Sequence, residues 1–261
     1  MLVMELVEIN GNHLEVERIG DSPASDHRSP LVFLHEGLGS IAQWGDWPAS
    51  LCAATGREGV VYSRRGYGGS SPVPDVRGAG RLGPDYMHRE ALQVLPALLE
   101  RIGIRQPVLV GHSDGGTIAL IHAAHHPVSA CVALAPHVMV EDISVSGIEE
   151  ARHEYEHGSL REPLARHHDD VDSAFWQWND VWLSPAFRAF DIRKELGAIT
   201  APLLCIQGEQ DRYGTLAQIR DVQSAVPAAL LLEIADCGHS PHRDQRDTVN
   251  VAIANFLRDV N

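Results

Sequence analysis

The sequence predicts an α/β protein built on a mostly parallel, twisted sheet with helices on both faces. Short apolar runs alternate along the chain with longer segments whose apolar residues recur at helical spacing. Several of these runs, such as residues 107–110, are continuously apolar, which is typical of strands buried on both faces of a sheet. An opening hairpin followed by alternating strands and helices favours a parallel sheet covered on both sides.

The composition is that of a globular protein with an acidic surface. The chain has 261 residues, of which 44% are hydrophobic and 21% charged. Its 21 Lys and Arg stand against 35 Asp and Glu, giving a formal charge of −14. This balance argues against nucleic acid and anionic membrane surfaces as partners.

Cysteine usage and the absence of long apolar runs favour a cytoplasmic protein. The four cysteines are far apart, with no C-x-x-C spacing, which predicts buried, reduced thiols. No basic and apolar leader pattern opens the sequence, and no apolar run approaches the roughly 20 residues of a membrane span. We therefore expect neither a signal peptide nor a membrane segment.

The first hundred residues predict a hairpin, two further strands and two helices. Asn10 and Gly11 form an Asn-Gly turn signal between two alternating runs. The predicted elements, in order, are strands 2–9 and 13–19, strand 31–34, a helix from about 40 to 54, strand 60–62, a Pro- and Gly-rich loop 71–84, and helix 86–102.

A glycine-flanked serine follows the fifth strand directly. The apolar run 107–110 leads into Gly111-His112-Ser113-Asp114-Gly115, and residues 117–124 continue as a helix. A G-x-S-x-G motif between a strand and a helix indicates a nucleophile elbow, in which the serine side chain is exposed at a sharp turn. The alternative is a glycine-rich turn capped by Ser113 and Asp114, and the strand–turn–helix context disfavours it.

The second half resumes the strand pattern only after a long interruption. Residues 130–134 predict a sixth strand, and residues 202–206 and 230–234 predict two more before a closing helix 244–260. Between them, residues 138–200 are rich in charged residues, histidine and aromatics and contain no buried strand pattern. We predict a core formed by residues 1–137 and 201–261, with a helical cap at 138–200 inserted after the sixth strand.

Two later strand ends supply candidates for the base that a serine nucleophile needs. Asp211 follows the seventh strand and His239 follows the eighth, and loops at the carboxyl ends of parallel strands meet at one edge of a sheet. A histidine oriented by a carboxylate can take the proton of Ser113. Glu209 is the alternative to Asp211, and His242 is the alternative to His239. The spacing from each strand favours Asp211 and His239.

The chain resembles the α/β-hydrolase superfamily over essentially its whole length. Five motifs in the same order carry the resemblance: His35-Glu36-Gly37-Leu38-Gly39, Gly66-Tyr67-Gly68-Gly69-Ser70, Gly111-His112-Ser113-Asp114-Gly115, Gly208-Glu209-Gln210-Asp211 and Gly238-His239. The resemblance is closest in kind to small capped esterases, lactonases and carbon–carbon bond hydrolases. It implies an α/β-hydrolase fold with Ser113 as nucleophile, His239 as general base and Asp211 as its orienting carboxylate.

The loop after the third strand departs from the usual pattern of the superfamily. Members often carry His-Gly there, whereas Glu36 separates His35 from Gly37. The resemblance implies that the oxyanion is held by the backbone N–H of Asp114 and by one in this loop, from Leu38 or from Gly37. Glu36 is a candidate substrate contact, although a hydrogen bond to the loop backbone is the favoured reading.

One motif suggests a metal site that we do not expect to form. His153-Glu154-Tyr155-Glu156-His157 matches H-E-x-x-H, which can hold zinc on a helix. Gly158 follows at once, no third ligand stands at a convincing spacing, and the surroundings are acidic. A solvated cap helix is therefore the favoured interpretation, with neither metal nor other cofactor.

Aromatic and basic residues offer weaker predictions about the substrate. Trp176 and Trp178 of the cap are candidate substrate contacts, although packing of cap helices explains aromatic residues more often. Arg64 and Arg65 follow a strand end and could meet a substrate carboxylate, whereas salt bridges within loops are the commoner use.

These patterns predict a serine hydrolase that cleaves a small carboxylic ester, lactone or thioester through an acyl-enzyme. A carbon–carbon bond hydrolase with the same triad and a non-catalytic ligand-binding homologue are the alternatives. The predicted partner is a small acyl substrate, not nucleic acid or a membrane. The sequence leaves the oligomeric state open, a homodimer included.

Overall fold

One eight-stranded sheet forms the centre of the computed structural model, which describes residues 2–20 and 28–260. The strands are β1 (Leu2–Ile9), β2 (Asn12–Ile19), β3 (Leu31–Leu34), β4 (Gly59–Tyr62), β5 (Val108–His112), β6 (Ala130–Leu134), β7 (Leu203–Gly208) and β8 (Leu230–Ile234). Their order in the sheet is β1-β2-β4-β3-β5-β6-β7-β8. All pairs from β4 to β8 are parallel, and only β1–β2 and β2–β4 are antiparallel. The α/β class and the mostly parallel sheet are confirmed.

The first turn and the central strands follow from local chemistry. Asn10 and Gly11 both have positive φ, 52° and 76°, as a two-residue hairpin turn requires. In β3, Val32 packs into one hydrophobic cluster and Phe33 into the cluster on the opposite face. Strands of this kind are apolar at every position because they are buried on both faces.

Helices cover both faces of the sheet. They are α1 (Ile41–Trp44), α2 (Trp47–Thr55), α3 (Tyr86–Arg89), α4 (Leu95–Ile102), α5 (Asp114–His125), α6 (Asp142–His157), α7 (Arg161–Ala165), α8 (Val171–Trp182), α9 (Arg193–Leu196), α10 (Ala217–Ala225), α11 (Pro241–Asp244) and α12 (Arg246–Phe256). The core residues of α1, α2 and α12 pack on one face, and those of α3–α5 pack on the other. None of the described helices is both long enough and apolar enough to cross a bilayer.

Several element boundaries differ from the sequence prediction. The helix predicted at 40–54 is broken by Gly45, which has a φ of +61°. The helix predicted at 86–102 contains a π-helical turn, Glu90–Val94, between α3 and α4. The closing helix begins at Arg246 and ends at Phe256, and α10 was not predicted.

The segment between β6 and β7 is helical, as the sequence indicates. It contains α6 to α9 and a short 3-10 turn, Phe187–Ala189, and α8 lies over the end of the sheet that carries the candidate site. The boundaries of a separate cap at 138–200 stay a prediction. All four cysteines are buried and free of disulfides.

Candidate active site

Ser113 lies in a strained turn between β5 and α5. Its φ of 53° and ψ of −119° are backbone angles that residues other than glycine rarely adopt. The turn is tight because the helix begins at once: a Cβ on Gly115 would lie 2.0 Å from the carbonyl oxygen of Leu34. The N–H of Ser113 donates to the carbonyl of Leu134 at 2.8 Å, which ties the turn to β6.

The structure brings together the three side chains that the sequence selects. Nε2 of His239 lies 2.9 Å from Oγ of Ser113. Nδ1 of the same ring lies 2.9 and 2.8 Å from the two carboxylate oxygens of Asp211. Because the carboxylate accepts from Nδ1, Nε2 is left as the acceptor for the serine hydroxyl. This is the hydrogen-bond arrangement of a Ser-His-Asp triad.

Asp211 is buried but well supplied with hydrogen-bond donors. The backbone N–H of Tyr213 donates to Oδ1 at 2.8 Å, and Nε2 of Gln207 lies 3.2 Å from Oδ2. Burial raises the pKa of Asp211, but the hydrogen bonds from His239 and Tyr213 outweigh it and leave the pKa below its usual range. The carboxylate is therefore ionised at neutral pH.

The alternatives to the base and its partner do not take part in this arrangement. His242 is buried against the rings of Trp44 and Trp47, and neither of its ring nitrogens has a hydrogen-bond partner among the described residues. Burial holds its pKa well below the ordinary value, so the ring is neutral. Glu209 is exposed to solvent.

His112 and Glu36 lie behind the base. Nε2 of His112 lies 2.7 Å from the main-chain carbonyl oxygen of His239, and Nδ1 lies 3.4 Å from Oε2 of Glu36. Arg243 approaches the same carboxylate at 3.7 Å. Burial raises the pKa of Glu36. His112 and Arg243 lower it by more, so the net pKa is well below its usual range. Glu36 thus faces His112 and Arg243, and its role as a substrate contact stays a prediction.

The loop after β3 is held in place from three sides. The guanidinium of Arg64 donates to the carbonyl oxygens of His35 and Glu36, at 2.5 and 2.9 Å. Nε2 of His168 lies 3.0 Å from the carbonyl oxygen of Leu38. A Cβ on Gly37 would lie 2.1 Å from the indole nitrogen of Trp178, so only glycine fits there.

The predicted oxyanion donors are backbone groups without competing partners. Within the described residues, the N–H groups of Gly37 and Leu38 donate to no protein acceptor. The N–H of Asp114 is in the first turn of α5, where helical N–H groups have no partner within the helix. Which of the two loop donors serves the oxyanion stays a prediction.

The side chain of Asp114 belongs to a buried cluster that the sequence did not reveal. The hydroxyl of Tyr86 donates to Oδ2 at 2.6 Å, and Nε1 of Trp182 donates to the same hydroxyl at 2.9 Å. Oδ1 has no hydrogen-bond partner among the described residues. Burial raises the pKa of Asp114, although the nearby charge of Arg64 lowers it in part. Tyr86 and Trp182 are 96 residues apart, and no local pattern links them.

The two tryptophans of α8 selected as substrate contacts lie in different surroundings. Trp178 is buried against Gly37 of the loop after β3. Trp176 is partly buried and carries the guanidinium of Arg77 on its ring face, 3.7 Å from the centroid. A substrate contact by either tryptophan stays a prediction.

The H-E-x-x-H motif lies on the outer side of α6. His153, Glu154 and His157 are exposed, whereas Tyr155 packs inward and stacks on Phe175 with ring centroids 3.7 Å apart. Among the described residues, no group of three or more His, Cys, Asp or Glu side chains is placed to hold a metal ion.

Comparison with known proteins points to one family. The model of the "Alpha/beta hydrolase family" matches residues 31–252. The chain is 27% identical over 264 residues to the "Putative carbamate hydrolase RutD" of Klebsiella pneumoniae (strain 342), covering 92% of this chain and 96% of that protein. It is 22% identical over 261 residues to the "sn-1-specific diacylglycerol lipase ABHD11" of Mus musculus, covering 87% and 80%.

A solved structure supports the same fold. The crystal structure of the enol-lactonase from Burkholderia xenovorans LB400 superimposes with a TM-score of 0.77 at 21% identity, covering 98% of this chain and 100% of that chain. At this identity the likeness shows the fold alone.

Proposed function

The chain belongs to the alpha/beta hydrolase family, and from that premise we propose that it is a serine hydrolase acting on a small carboxylic ester, lactone or thioester. The observation that carries the proposal is the continuous hydrogen-bond chain from Ser113 through His239 to Asp211, with the serine at a strained strand–helix turn. Such a chain supplies an activated nucleophile, its base and the group that orients the base.

The acylation step uses these three side chains directly. Oγ of Ser113 attacks the substrate carbonyl carbon while Nε2 of His239 takes the hydroxyl proton. The imidazolium that forms is stabilised by the ionised carboxylate of Asp211. The tetrahedral intermediate then collapses, and His239 returns the proton to the leaving oxygen or sulfur atom.

The negative charge of the tetrahedral intermediate falls on the former carbonyl oxygen. The backbone N–H of Asp114 and one from Leu38 or Gly37 would hold it, since these donors are fixed in position and unpaired. Oxyanion donors of this kind typically contribute about 10²–10³ in kcat each. Water activated by His239 then attacks the acyl-enzyme and releases the acid.

A carbamate is the second candidate substrate class. It is favoured by the similarity to a protein named as a carbamate hydrolase, which spans 92% of this chain. Carbamates present the same carbonyl group to the nucleophile, so the mechanism is unchanged until the acyl-enzyme, which is then a carbamoyl serine.

A covalent probe tests the mechanism most directly. We expect a fluorophosphonate to add once per chain, as measured by intact mass, and the adduct to be absent from Ser113→Ala. We also expect turnover of p-nitrophenyl esters of graded acyl length, abolished in Ser113→Ala and His239→Ala, and p-nitrophenyl carbamates assayed alongside separate the two substrate classes. Absence of both labelling and turnover in folded wild-type protein would reject the serine-hydrolase mechanism and favour a ligand-binding homologue.

A further inference from the structure

A cavity lies beside the candidate active site and contains none of the triad residues. Its volume is about 400 Å³, and it is formed by the loop after β4, the start of the α3–α4 helical segment and α8. Its lining includes Arg64, Arg65 and Arg81. We call it the arginine-rimmed cavity.

Two exposed arginines at this cavity carry charge that no carboxylate neutralises. Nε of Arg65 is 3.4 Å from the carbonyl oxygen of Pro72, and Nη2 of Arg81 donates to the main-chain carbonyl of Asp180 at 3.2 Å. Within the described residues, neither guanidinium forms a salt bridge. By contrast, Arg77 and Arg89 nearby are paired with Asp180 and Asp85. In a chain of charge −14, two unpaired arginines at one cavity favour an anionic ligand.

The rest of the lining is mainly apolar, and its acidic residue is hydrogen-bonded to a neighbouring side chain. Val73, Leu82 and Val94 present aliphatic side chains. Glu90 is the acidic residue of the lining, and its Oε1 accepts a hydrogen bond from the hydroxyl of Tyr62 at 2.9 Å. Burial raises the pKa of Glu90, and the adjacent charge of Arg64 lowers it in part. The cavity thus combines apolar walls with positive charge at the rim.

We propose that the arginine-rimmed cavity binds a small carboxylate with an apolar body. Arg65 and Arg81 supply the charge that faces the carboxylate. Guanidinium groups suit this role because their fork of N–H donors matches a carboxylate.

The cavity shares two residues with the machinery around the nucleophile. Tyr86 lines it and donates to Asp114, the residue after Ser113. Arg64 lines it and donates to the carbonyl groups of His35 and Glu36 in the loop after β3. The bound carboxylate is either the far end of a substrate or a free acid, and only the first source rests on the proposed function.

Calorimetric titration of the full chain tests binding without any need for turnover. The probes are 4-phenylbutyrate and, as its neutral counterpart, 4-phenylbutyramide. We expect the acid to bind more tightly than the amide, and the double variant Arg65→Gln/Arg81→Gln to weaken acid binding about tenfold, a difference of roughly 1.4 kcal/mol. The matched control, Arg101→Gln/Arg105→Gln, removes the same charge from exposed positions away from the cavity and leaves acid binding within twofold. The single variants Arg65→Gln and Arg81→Gln are each expected to weaken acid binding severalfold.

Three results would overturn the proposal: no saturable binding of the acid at millimolar concentration, equal binding of acid and amide, or equal weakening in the cavity variant and the control. Thermal unfolding of each variant establishes that it is folded.

Kinetics then distinguish the two sources of the carboxylate. A substrate carboxylate gives p-nitrophenyl esters with an ω-carboxylate a lower KM than neutral esters of equal length, and the double variant removes that advantage. If the cavity instead binds a free acid, adding 4-phenylbutyrate changes the rate of hydrolysis of both ester types alike. If the serine-hydrolase mechanism fails, ester turnover and fluorophosphonate labelling are lost while acid binding measured by calorimetry persists.

Discussion

The imidazole of His112 and the main chain of His239 are joined by a hydrogen bond of 2.7 Å. His112 immediately precedes the candidate nucleophile, and His239 is the candidate base. One contact therefore ties the segment of the nucleophile to the segment of the base. Because the carbonyl oxygen accepts, Nε2 of His112 carries the hydrogen. The ring of His112 supports the backbone of the base and lies 5.1 Å from the ring of His239 between centroids.

Replacing His112 by Phe should lower kcat about 10–100-fold with a small change in KM. The substitution removes the hydrogen bond to the loop of His239, and misplacement of a catalytic group by about 1 Å is enough for such a loss. Steady-state kinetics on a p-nitrophenyl ester measure the effect. His112→Gln, which keeps a donor, should retain more activity than His112→Phe. Equal kcat values for wild type and both variants would contradict a positioning role.

Asp211→Asn should reduce kcat by about 10³–10⁴-fold while Ser113 and His239 stay in place. The amide cannot stabilise the imidazolium, and its NH₂ group favours the wrong tautomer of the histidine. The matched control is Glu209→Gln, which removes one carboxylate charge two residues away at an exposed position and should leave kcat unchanged. A larger loss in Glu209→Gln than in Asp211→Asn would move the orienting role to Glu209.

Gly37→Ala should lower kcat/KM by about 10²–10³-fold, the typical effect of losing one oxyanion donor. The new methyl group would lie 2.1 Å from Nε1 of Trp178, so either the loop or the indole must move. In the control variant Gly197→Ala, the nearest atom to the new methyl group is 3.8 Å away, an ordinary contact. Far-UV circular dichroism should show both variants folded. Full activity in Gly37→Ala would show that the loop adapts and that its N–H groups are not held by this contact.

The free energy of unfolding should fall as the pH is lowered from 6.5 towards 4. Burial lowers the pKa of His122 to about 4 and that of His137 to about 3, from the ordinary 6.5. In this range the unfolded chain binds protons that the folded chain excludes, so stability rises with pH and is highest above pH 6.5. Each such histidine contributes a slope of about 1.4 kcal/mol per pH unit within its window.

Urea unfolding at several pH values measures this slope, and one variant assigns part of it. His122→Gln removes a titrating group that lies far from the triad and should reduce the slope by about 1.4 kcal/mol per pH unit. His157→Gln, the same substitution at an exposed position on α6, is the matched control for the substitution itself. An unaltered slope in His122→Gln would show that His122 is protonated in the folded protein.

The sequence predicts best those features that are local along the chain. The continuous apolar strands and the glycine-flanked serine each carry their information within about ten residues, so the sheet, the elbow and the order Ser113, Asp211, His239 could be read directly. Helix α10 was missed because it has few apolar residues: only Ile219 and Val222 are buried apolar residues, and the third buried position is Gln218.

Contacts between distant segments could not be predicted from local patterns. Tyr86 reaches Asp114 and Trp182 across 28 and 96 residues, and tertiary packing alone brings these groups together. The arginine-rimmed cavity is formed largely by a loop with no periodic pattern, so the sequence could suggest a carboxylate contact for Arg65 but not the buried amide of Gln177 beside it.

Helix α8 places successive side chains against different parts of the site. Gln177 lines the arginine-rimmed cavity, Trp178 packs on Gly37, and Trp182 donates to Tyr86. A substitution along this helix therefore alters ligand selection and the support of the reacting groups at the same time. By contrast, the loop at 73–83 lines the cavity and contains none of the triad residues. Substitutions that change substrate preference among related enzymes should therefore accumulate first in that loop, whereas α8 tolerates fewer substitutions.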